Sequence, residues 1–275
     1  MPELPEVETI KRILAPQLCG RRVENVQIRN AQVIAHPRAE TFAERLTGKM
    51  ITGLSRRGKF LRIELENGGL VCLHLRMTGQ LMVTPAEFSE EKHTHLIAAL
   101  SDGNQLRYID VRRFGRFWYL DKGETDAFTG LERLGIEPDD PGLTADYLYG
   151  KLGTKKKCIK EMLHDQSVVA GIGNIYSDEI LFDAGVCPEK KCSELRADQW
   201  NRLAVSIPKI IAWGIETDAM TPEEYLAGKG REYRNMPELK VYGRAGMPCR
   251  RCGSPLKQLT IGGRSSCFCP ECQKS

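Results

Sequence analysis

The chain has 275 residues, of which 41% are hydrophobic and 28% charged, a balance typical of folded domains and not of disordered chains. This length suffices for two domains with separate cores. No apolar run approaches the roughly 20 residues of a membrane span, and the acidic N-terminal segment lacks the apolar core of a secretory signal. We therefore expect a cytoplasmic protein without a membrane partner. The net charge of +4 suits a nucleic-acid partner only if positive charge is concentrated on one face.

The N-terminal part of the chain changes from one periodicity to another. Apolar residues at helical spacing predict a helix over residues 5–18, which ends before Gly20. The segments that follow alternate apolar and polar residues between tight-turn sequences such as NGG and SDGN, as half-buried strands do. The sequence therefore predicts a first domain, residues 1–130, in which one helix precedes a β-sandwich.

The stretch LERLGIEPDDPG predicts a linker, because Gly, Pro and Asp favour turns. Helical spacing then resumes from Thr144 to about Trp213, and we interpret the polar segment from Glu216 to Asn235 as a loop. The second predicted domain covers residues 131–240. Residues 241–275 are expected to form a small cysteine module with strand-like pieces around a glycine turn. The predicted fold class is α+β.

The C-terminal module carries two C-x-x-C pairs with 16 residues between them. Thiolates from two such turns suit the tetrahedral coordination of Zn²⁺, so the sequence predicts one structural zinc ion. Its expected ligands are Cys249, Cys252, Cys269 and Cys272, and the spacing leaves the competing donor Cys267 spare. The cysteines outside the two pairs are expected to be ordinary thiols in a reducing compartment.

The zinc module has a structural interpretation and a nucleic-acid interpretation. A bound metal stabilises a tail that is too small to bury a core of its own. In addition, GGR at residues 262–264 lies midway in the predicted hairpin, where Arg264 would project from a rigid tip. An arginine in that position is suited to a phosphate or a base edge. The two interpretations are compatible.

Three short segments of the first domain combine cations with apolar or glycine neighbours. SRRGKF contains Lys59 at the start of a strand, LHLRMTG contains His74 and Met77, and DVRRFGRFW contains Arg112 and Phe114. Each segment alone is typical of a solvated strand end. Together they fit a protein that extrudes a base from DNA, because Met, Phe and Arg are suitable wedges for the vacated stack.

Two segments of the helical half suggest phosphate binding. The lysine-rich GTKKKCIK ends at Lys160, and GIGNIYSDE contains Gly171, Gly173 and Asn174. The glycines predict a tight turn that opens a helix, where backbone N–H groups bind phosphate and an asparagine adds a donor. A simple turn between two helices is an equal alternative for this stretch taken alone.

Six segments occur together and in a fixed order: MPELPEVET, RRGKF, LHLRMTG, DVRRFG, GIGNIYSDE and the four-cysteine finger. In this combination the whole chain resembles the bacterial formamidopyrimidine-DNA glycosylases, which remove oxidised purines from DNA. The resemblance implies a β-sandwich with a leading helix, a helix–two-turn–helix domain and a zinc-finger β-hairpin. It also implies a monomer in the bacterial cytoplasm, associated with the nucleoid, that binds damaged double-stranded DNA.

The resemblance assigns catalysis mainly to the first residues. Pro2 would be the nucleophile, Glu3 the acid, and Lys59 a catalytic lysine that contacts a phosphate. Removal of Met1 would expose a secondary amine, which can attack C1′ of the damaged nucleoside and leave a covalent iminium. Elimination of the 3′ and then the 5′ phosphate would follow. Glu6, one helical turn along, would orient the terminus, although prolines and acidic residues are also common where a helix starts.

DNA contacts follow from the same resemblance. Met77, Arg112 and Phe114 would fill the duplex after the base has flipped out, with Arg112 facing the orphaned cytosine. Asn174 and Arg264 would hold the phosphates around the flipped nucleotide. Three further DNA contacts are implied at His74, Lys160 and Tyr242.

The segment between Gly214 and Met236 departs from the family pattern. The family usually has a glycine-threonine stretch after the long helix and an aromatic-Gln-rich approach to VYGR, where this chain has GIETDAM and REYRNMPELKVYGR. The resemblance implies that this loop, about residues 216–236, closes over the flipped purine. The preference among 8-oxoguanine, ring-opened purines and further-oxidised lesions therefore stays open.

Three other functions fit parts of the pattern. An endonuclease VIII-like glycosylase for oxidised pyrimidines typically begins Pro-Glu-Gly-Pro-Glu, and Leu4 disfavours it. A non-catalytic DNA-binding homologue is disfavoured by the presence of Pro2, Glu3 and Lys59. A zinc-stabilised structural module would leave the GTKKKCIK and GIGNIY segments unexplained.

Overall fold

The computed structural model describes residues 2–124, 126–230 and 236–274. Internal contacts divide the chain into two compact units, one built mainly from Glu6–Glu132 and the other mainly from Arg133–Asp218. The described residues 219–230 group with the first unit, and 236–274 group with the second. Glu3–Pro5 also groups with the second unit, whereas Pro2 before it and the residues from Glu6 onward group with the first.

The first unit contains two sheets and two helices before the linker. Helix α1 (Leu4–Leu18) buries the apolar face that its spacing predicts, and α2 (Ala39–Leu46) follows later. The strands are β1 (Val23–Ile28), β2 (Ile34–His36), β3 (Ile51–Arg57), β4 (Phe60–Leu65), β5 (Leu70–His74), β6 (Gly79–Pro85), β7 (Thr94–Leu100), β8 (Asn104–Asp110) and β9 (Arg116–Leu120).

The two sheets share one core. One sheet has the order β1-β7-β8-β6 and the other β2-β9-β5-β4-β3, and the pairs are antiparallel except for β2 with β9. Both sheets and α1 contribute buried side chains to a single hydrophobic cluster. Its largest fully buried members include Phe42, Tyr108, Phe117 and Tyr119. The predicted sandwich with a leading helix is confirmed.

The second unit is helical and ends in a β-hairpin. Its helices are α3 (Ala145–Leu152), α4 (Ile159–Met162), α5 (Asn174–Ala184) and α6 (Ala197–Thr217), and its hairpin pairs β10 (Lys257–Ile261) with β11 (Arg264–Phe268). Helix α5 is buried along most of its length, with a core that includes Tyr176, Ile180 and Leu181. In the described part of the chain, no helix combines the length and apolar character of a membrane span.

The segment predicted as a loop over residues 216–236 is partly helical. Helix α6 continues to Thr217, and a short helix α7 (Pro222–Ala227) follows. Thr221 and Glu224 form a capping box at its start, a local signal that the loop prediction overlooked. Within this segment, the described residues 219–230 group with the first unit, and Tyr225 is buried in the core of that unit. Residues 231–235 lie outside the described residues.

Candidate functional site

Glu3 lies at the N-terminus of helix α5. Its Oε2 accepts hydrogen bonds from the backbone N–H of Gly173 at 2.7 Å and of Tyr176 at 3.4 Å, and Oε1 accepts one from Ile175 at 2.9 Å. The side chain is buried, with 2% of the residue exposed. Both carboxylate oxygens are thereby fixed at a position where a helix favours negative charge.

The two glycines of GIGN make room for the N-terminal segment. Gly171 has φ +93°, and a Cβ on it would overlap the Leu4 side chain, while a Cβ on Gly173 would overlap the Glu3 carboxyl group. The backbone N–H of Leu4 also donates to the Gly171 carbonyl at 3.1 Å. The prediction that the backbone donors of this turn bind phosphate is wrong for Gly173 and Ile175, because Glu3 occupies them.

The other predicted catalytic residues lie in the first unit. Pro2 is buried two residues before the start of α1, and Glu6 is buried in the first turn of that helix with 2% exposure. Lys59 lies in the turn between β3 and β4 and is 7% exposed. Met1, whose removal the chemistry requires, lies outside the described residues. The catalytic roles of Pro2, Glu6 and Lys59 remain predictions.

The three predicted wedge residues lie side by side. Met77 is 45% and Phe114 is 47% exposed, which is unusual for large apolar side chains in this chain. Arg112 Nη1 donates to the Met77 sulfur at 3.0 Å, and its guanidinium carbon lies 4.7 Å from the centre of the Phe114 ring. The structure therefore forms one exposed cluster from two turns, the first after β5 and the second after β8. We call Met77, Arg112 and Phe114 the wedge cluster.

The sequence analysis missed Asp110, which holds both turns of the wedge cluster. Its buried carboxylate accepts hydrogen bonds from the Thr78 hydroxyl, from the Tyr108 hydroxyl at 3.0 Å, and from the backbone N–H of Arg112 at 3.1 Å and Gly115 at 2.9 Å. Burial alone would raise the pKa of Asp110. The hydrogen bonds from these donors have the larger combined effect, so the pKa is lowered. An aspartate directly before an exposed turn was the available signal.

Substitution Asp110→Asn is expected to destabilise the protein by about 2–3 kcal/mol at pH 7, because the charged acceptor of several donors is lost. The lowered pKa means that this stabilisation is complete above the unfolded value of about 3.9 and is lost as pH falls through the folded value. Urea unfolding at pH 7 and at pH 3 measures both effects. The control is Asp102→Asn at an exposed carboxylate, and equal unfolding free energies for wild type and Asp110→Asn at pH 7 would contradict the prediction.

His74 lies at the end of β5, buried against Phe60. Its Nδ1 accepts the backbone N–H of Arg76 at 3.0 Å, and its ring meets the edge of Phe60 at 4.7 Å between centres. Burial, together with the nearby charges of Arg76 and Lys59, lowers the pKa of His74 to about 3. The imidazole is therefore neutral at physiological pH. A DNA contact at His74 would therefore use a neutral donor and not a cation.

The lowered pKa of His74 predicts a pH dependence of stability. An unfolded histidine has a pKa of about 6.5, so the unfolded chain binds more protons between the folded and unfolded values, and stability rises with pH across that window. Between pH 4 and pH 7 the free energy of unfolding of the wild type should rise, and His74→Gln should remove at most about 3 kcal/mol of this rise. Urea unfolding of wild type and variant at both pH values provides the test. An identical pH dependence in the two proteins would show that His74 is not the titrating group.

The prediction that Lys160 contacts DNA is wrong in the structure. Only 1% of the residue is exposed, and its ammonium donates to Asp178 Oδ1 at 2.6 Å and to the Asn174 carbonyl at 3.0 Å. A buried ammonium requires such partners and is not available to a phosphate. Lys160 instead supports the first turn of α5, which carries Asn174.

Helix α5 and the hairpin are joined by polar contacts within the second unit. Asp178 accepts hydrogen bonds from the Ser266 hydroxyl at 2.6 Å and from the Cys267 backbone N–H at 2.9 Å. The Asn174 side-chain amide donates to the Ser265 carbonyl at 3.0 Å. Arg264 begins β11 and is exposed at the tip that Gly262 and Gly263 form with positive φ, as the sequence predicts. Asn174 and Arg264 are thus placed by the same hairpin.

Tyr242 is placed by a second buried acid of α5 that the sequence analysis also missed. The Glu179 carboxylate accepts backbone N–H groups from Lys240, Val241 and Tyr242 at 2.9–3.1 Å. Burial raises the pKa of Tyr242, and a hydrogen bond with the Asn174 side chain offsets part of this increase. The phenol therefore stays protonated at neutral pH and can donate a hydrogen bond. The acidic pair Asp178 and Glu179 within the largely buried helix α5 was the available signal.

The four predicted zinc ligands converge. The sulfur atoms of Cys249, Cys252, Cys269 and Cys272 all lie within 4.8 Å of one another. Tetrahedral zinc with bonds of about 2.3 Å requires sulfur separations of about 3.8 Å, and the pairs 249–272 and 252–269 lie at 4.0 and 3.4 Å. Cys267 lies outside this cluster, and its thiol faces Gln258 at 3.6 Å. The prediction of one structural zinc ion bound by these four residues is confirmed.

Comparison with known proteins shows which protein family the chain is similar to. The model of the formamidopyrimidine-DNA glycosylase N-terminal domain matches residues 1–117, that of the glycosylase H2TH domain matches 134–225, and that of a zinc finger found in FPG and IleRS matches 246–274. The chain is 44% identical over 259 residues to formamidopyrimidine-DNA glycosylase of Moorella thermoacetica, covering 94% of each chain.

Solved structures agree with the sequence matches. Lactococcus lactis Fpg in complex with a FAPY-dG-containing DNA superposes with a TM-score of 0.88 at 33% identity, covering 99% of this chain and 100% of that one. MutM in complex with a carbocyclic 8-oxo-G-containing DNA has a TM-score of 0.90 at 33% identity, covering 100% of both chains. These similarities extend over both units and the zinc hairpin.

Proposed function

The chain belongs to the formamidopyrimidine-DNA glycosylase family of DNA-repair enzymes, and from this premise we propose that it is a bifunctional glycosylase and AP lyase for oxidised purines. The proposed substrates are 8-oxoguanine and formamidopyrimidines in duplex DNA. The solved relatives support this choice, since they bind DNA that contains FAPY-dG or 8-oxo-G. The proposed site of action is the bacterial cytoplasm, on nucleoid DNA, and the proposed state is a monomer.

The observation that carries the proposal is the position of Glu3. An acidic residue that merely stabilised its own helix would lie along the first turn of α1. Glu3 instead accepts three hydrogen bonds at the N-terminus of another helix, α5. This arrangement fixes the residue that follows Pro2 and therefore limits the positions open to the proline nitrogen. A fixed amine next to a fixed carboxylate is what nucleophilic catalysis at this terminus requires.

In the proposed reaction the Pro2 nitrogen, free after loss of Met1, forms a bond to C1′ as the bond from C1′ to the damaged base breaks. The base leaves with the proton that the attacking amine loses. Glu3 protonates the sugar ring oxygen, the ring opens, and an iminium links Pro2 to C1′. Loss of a C2′ proton then expels the 3′ phosphate, and a second elimination expels the 5′ phosphate. Lys59 is proposed to contact a phosphate, and Glu6 to orient the terminus.

The remaining predicted residues are proposed to bind the distorted duplex. The wedge cluster would enter the stack, where exposed apolar and planar groups replace the extruded base. Arg112 would face the orphaned cytosine. Asn174, Tyr242 and Arg264 would contact the strand around the flipped nucleotide, and His74 would do so as a neutral group.

Borohydride trapping tests the proposal and separates it from its rivals. The mature protein is incubated with duplexes that contain 8-oxoguanine, formamidopyrimidine or an oxidised pyrimidine, and the reduced adduct is mapped by mass spectrometry. The proposal expects an adduct at Pro2 with both purine lesions, and their relative rates give the lesion preference that the segment from Gly214 to Met236 leaves open. Adducts with pyrimidine lesions alone would indicate an endonuclease VIII-like enzyme. Tight binding without any adduct would indicate a non-catalytic homologue.

A further inference from the structure

An ion pair in the first unit joins helix α1 to the strand before Lys59, and the proposed reaction does not use it. Arg56 Nε lies 3.2 Å from Glu8 Oε2, and the two side chains are only 11% and 9% exposed. The same guanidinium donates through Nη1 to the carbonyl of Gly58 at 3.1 Å. Arg56 therefore contacts the helix on one side and the β3–β4 turn on the other.

The turn itself leaves little freedom for Lys59. Arg57 pairs with Phe60 across the β3–β4 hairpin, so the loop consists of Gly58 and Lys59 alone. Gly58 has φ +53°, the left-handed conformation that the first position of a two-residue hairpin loop requires. The carbonyl that Arg56 holds belongs to the residue immediately before Lys59. Displacement of Arg56 would release the peptide group that orients the lysine.

Glu8 is held in its charged form by more than one cation. Lys11 and Arg12, three and four residues further along α1, approach Oε1 at 2.8 and 2.9 Å. Burial raises the pKa of Glu8, but the hydrogen bonds from Lys11, Arg12 and Arg56 together lower it. The carboxylate is therefore ionised at working pH, and Arg56 meets a fixed negative charge on the helix. Arginine suits this position because its planar fork can bond two acceptors at once.

We propose that Glu8 and Arg56 are positioning residues, which hold the Lys59 turn at a fixed place relative to helix α1 and hence to Pro2. This inference rests on the proposed roles of Pro2 and Lys59. Misplacement of a catalytic group by about 1 Å can cost on the order of 10²-fold in rate. The pair acts on the reaction through Lys59 and is not itself in contact with the substrate.

Two conservative substitutions test the positioning role. Glu8→Gln retains the shape of the side chain without its charge, and Arg56→Lys retains the charge without the fork. In single-turnover excision of 8-oxoguanine, each is expected to lower the rate constant by roughly 30- to 100-fold. Affinity for a duplex with an unreactive tetrahydrofuran site should change by less than about threefold, since the phosphate contact of Lys59 is one of several proposed contacts and the others are unaltered. The double variant should be no slower than the slower single variant, because both disrupt one link.

Arg12→Gln is the matched control, since it removes an exposed cation from the same carboxylate and leaves the bond between Glu8 and Arg56. It should react at the wild-type rate. Rates are measured well below each variant's unfolding temperature. If Glu8→Gln does not fold, the rate of Arg56→Lys tests the positioning role. Wild-type rates in folded variants, or losses of affinity as large as the losses of rate, would overturn the positioning role. A wild-type protein that cannot be trapped at Pro2 would instead mark failure of the proposed function.

Discussion

A chain whose N-terminal nitrogen is blocked is expected to lose base excision by roughly 10³-fold or more, as enzymes do when their nucleophile is removed. The block can be a short extension before Pro2 that a specific protease removes. An amide nitrogen has no basic lone pair, so it can neither attack C1′ nor form an iminium. Single-turnover excision and borohydride trapping on an 8-oxoguanine duplex measure the loss. Binding to the same duplex should fall far less, because the wedge cluster and the zinc hairpin are unchanged.

The same preparation serves as its own control once the protease has exposed Pro2. Excision and trapping should then return together. Pro2→Gly, with a free terminus, should react more slowly than wild type but remain trappable, because a primary amine still forms a Schiff base. Full activity of the blocked chain would show that another residue is the nucleophile and would remove the basis of the proposed mechanism.

Residues whose role depends on near neighbours in the chain were predicted from sequence. The zinc ligands follow from two C-x-x-C pairs, and the leading helix follows from a 3.6-residue apolar spacing over α1. The wedge cluster and the family itself were identified because several short motifs occur in one order. The family and the fold class are confirmed by three family-model matches and by a relative that aligns with 94% of the chain.

Residues whose role depends on distant partners were not predicted. The bond between Glu3 and the Gly173 backbone spans 170 positions, and no local pattern indicates that Glu3 lies at the start of α5. Lys160 ends a lysine-rich segment and was predicted to contact DNA, although it is buried in an ion pair with Asp178. Asp110 accepts the hydroxyl of Thr78, which lies 32 positions away, and Glu179 accepts backbone N–H groups that lie 61 to 63 positions away. Such roles require the fold before they can be recognised.

Removal of zinc is expected to abolish specific binding of damaged duplex DNA, with a loss of affinity of at least about 10²-fold. Structural zinc contributes on the order of 10–16 kcal/mol to modules of this kind, far more than a short hairpin can supply by its own packing. The hairpin positions Arg264 directly and supports Asn174 through the Ser265 carbonyl. Its disorder would therefore affect two proposed phosphate contacts at once. Cys252→Ala at an exposed ligand produces the same state without a chelator.

Cys19→Ser at an exposed thiol and Cys267→Ser inside the hairpin are the matched controls, because neither sulfur belongs to the four-cysteine cluster. Both should retain one zinc ion per chain and bind a tetrahydrofuran duplex as wild type does. Zinc content is measured by release to a colorimetric chelator, and affinity by fluorescence anisotropy. The loss of affinity in Cys252→Ala should be at least as large as that in Arg264→Ala. Disorder of the hairpin removes the Arg264 contact and also the support of Asn174. A zinc-free protein that bound the duplex with unchanged affinity would show that the hairpin takes no part in DNA recognition.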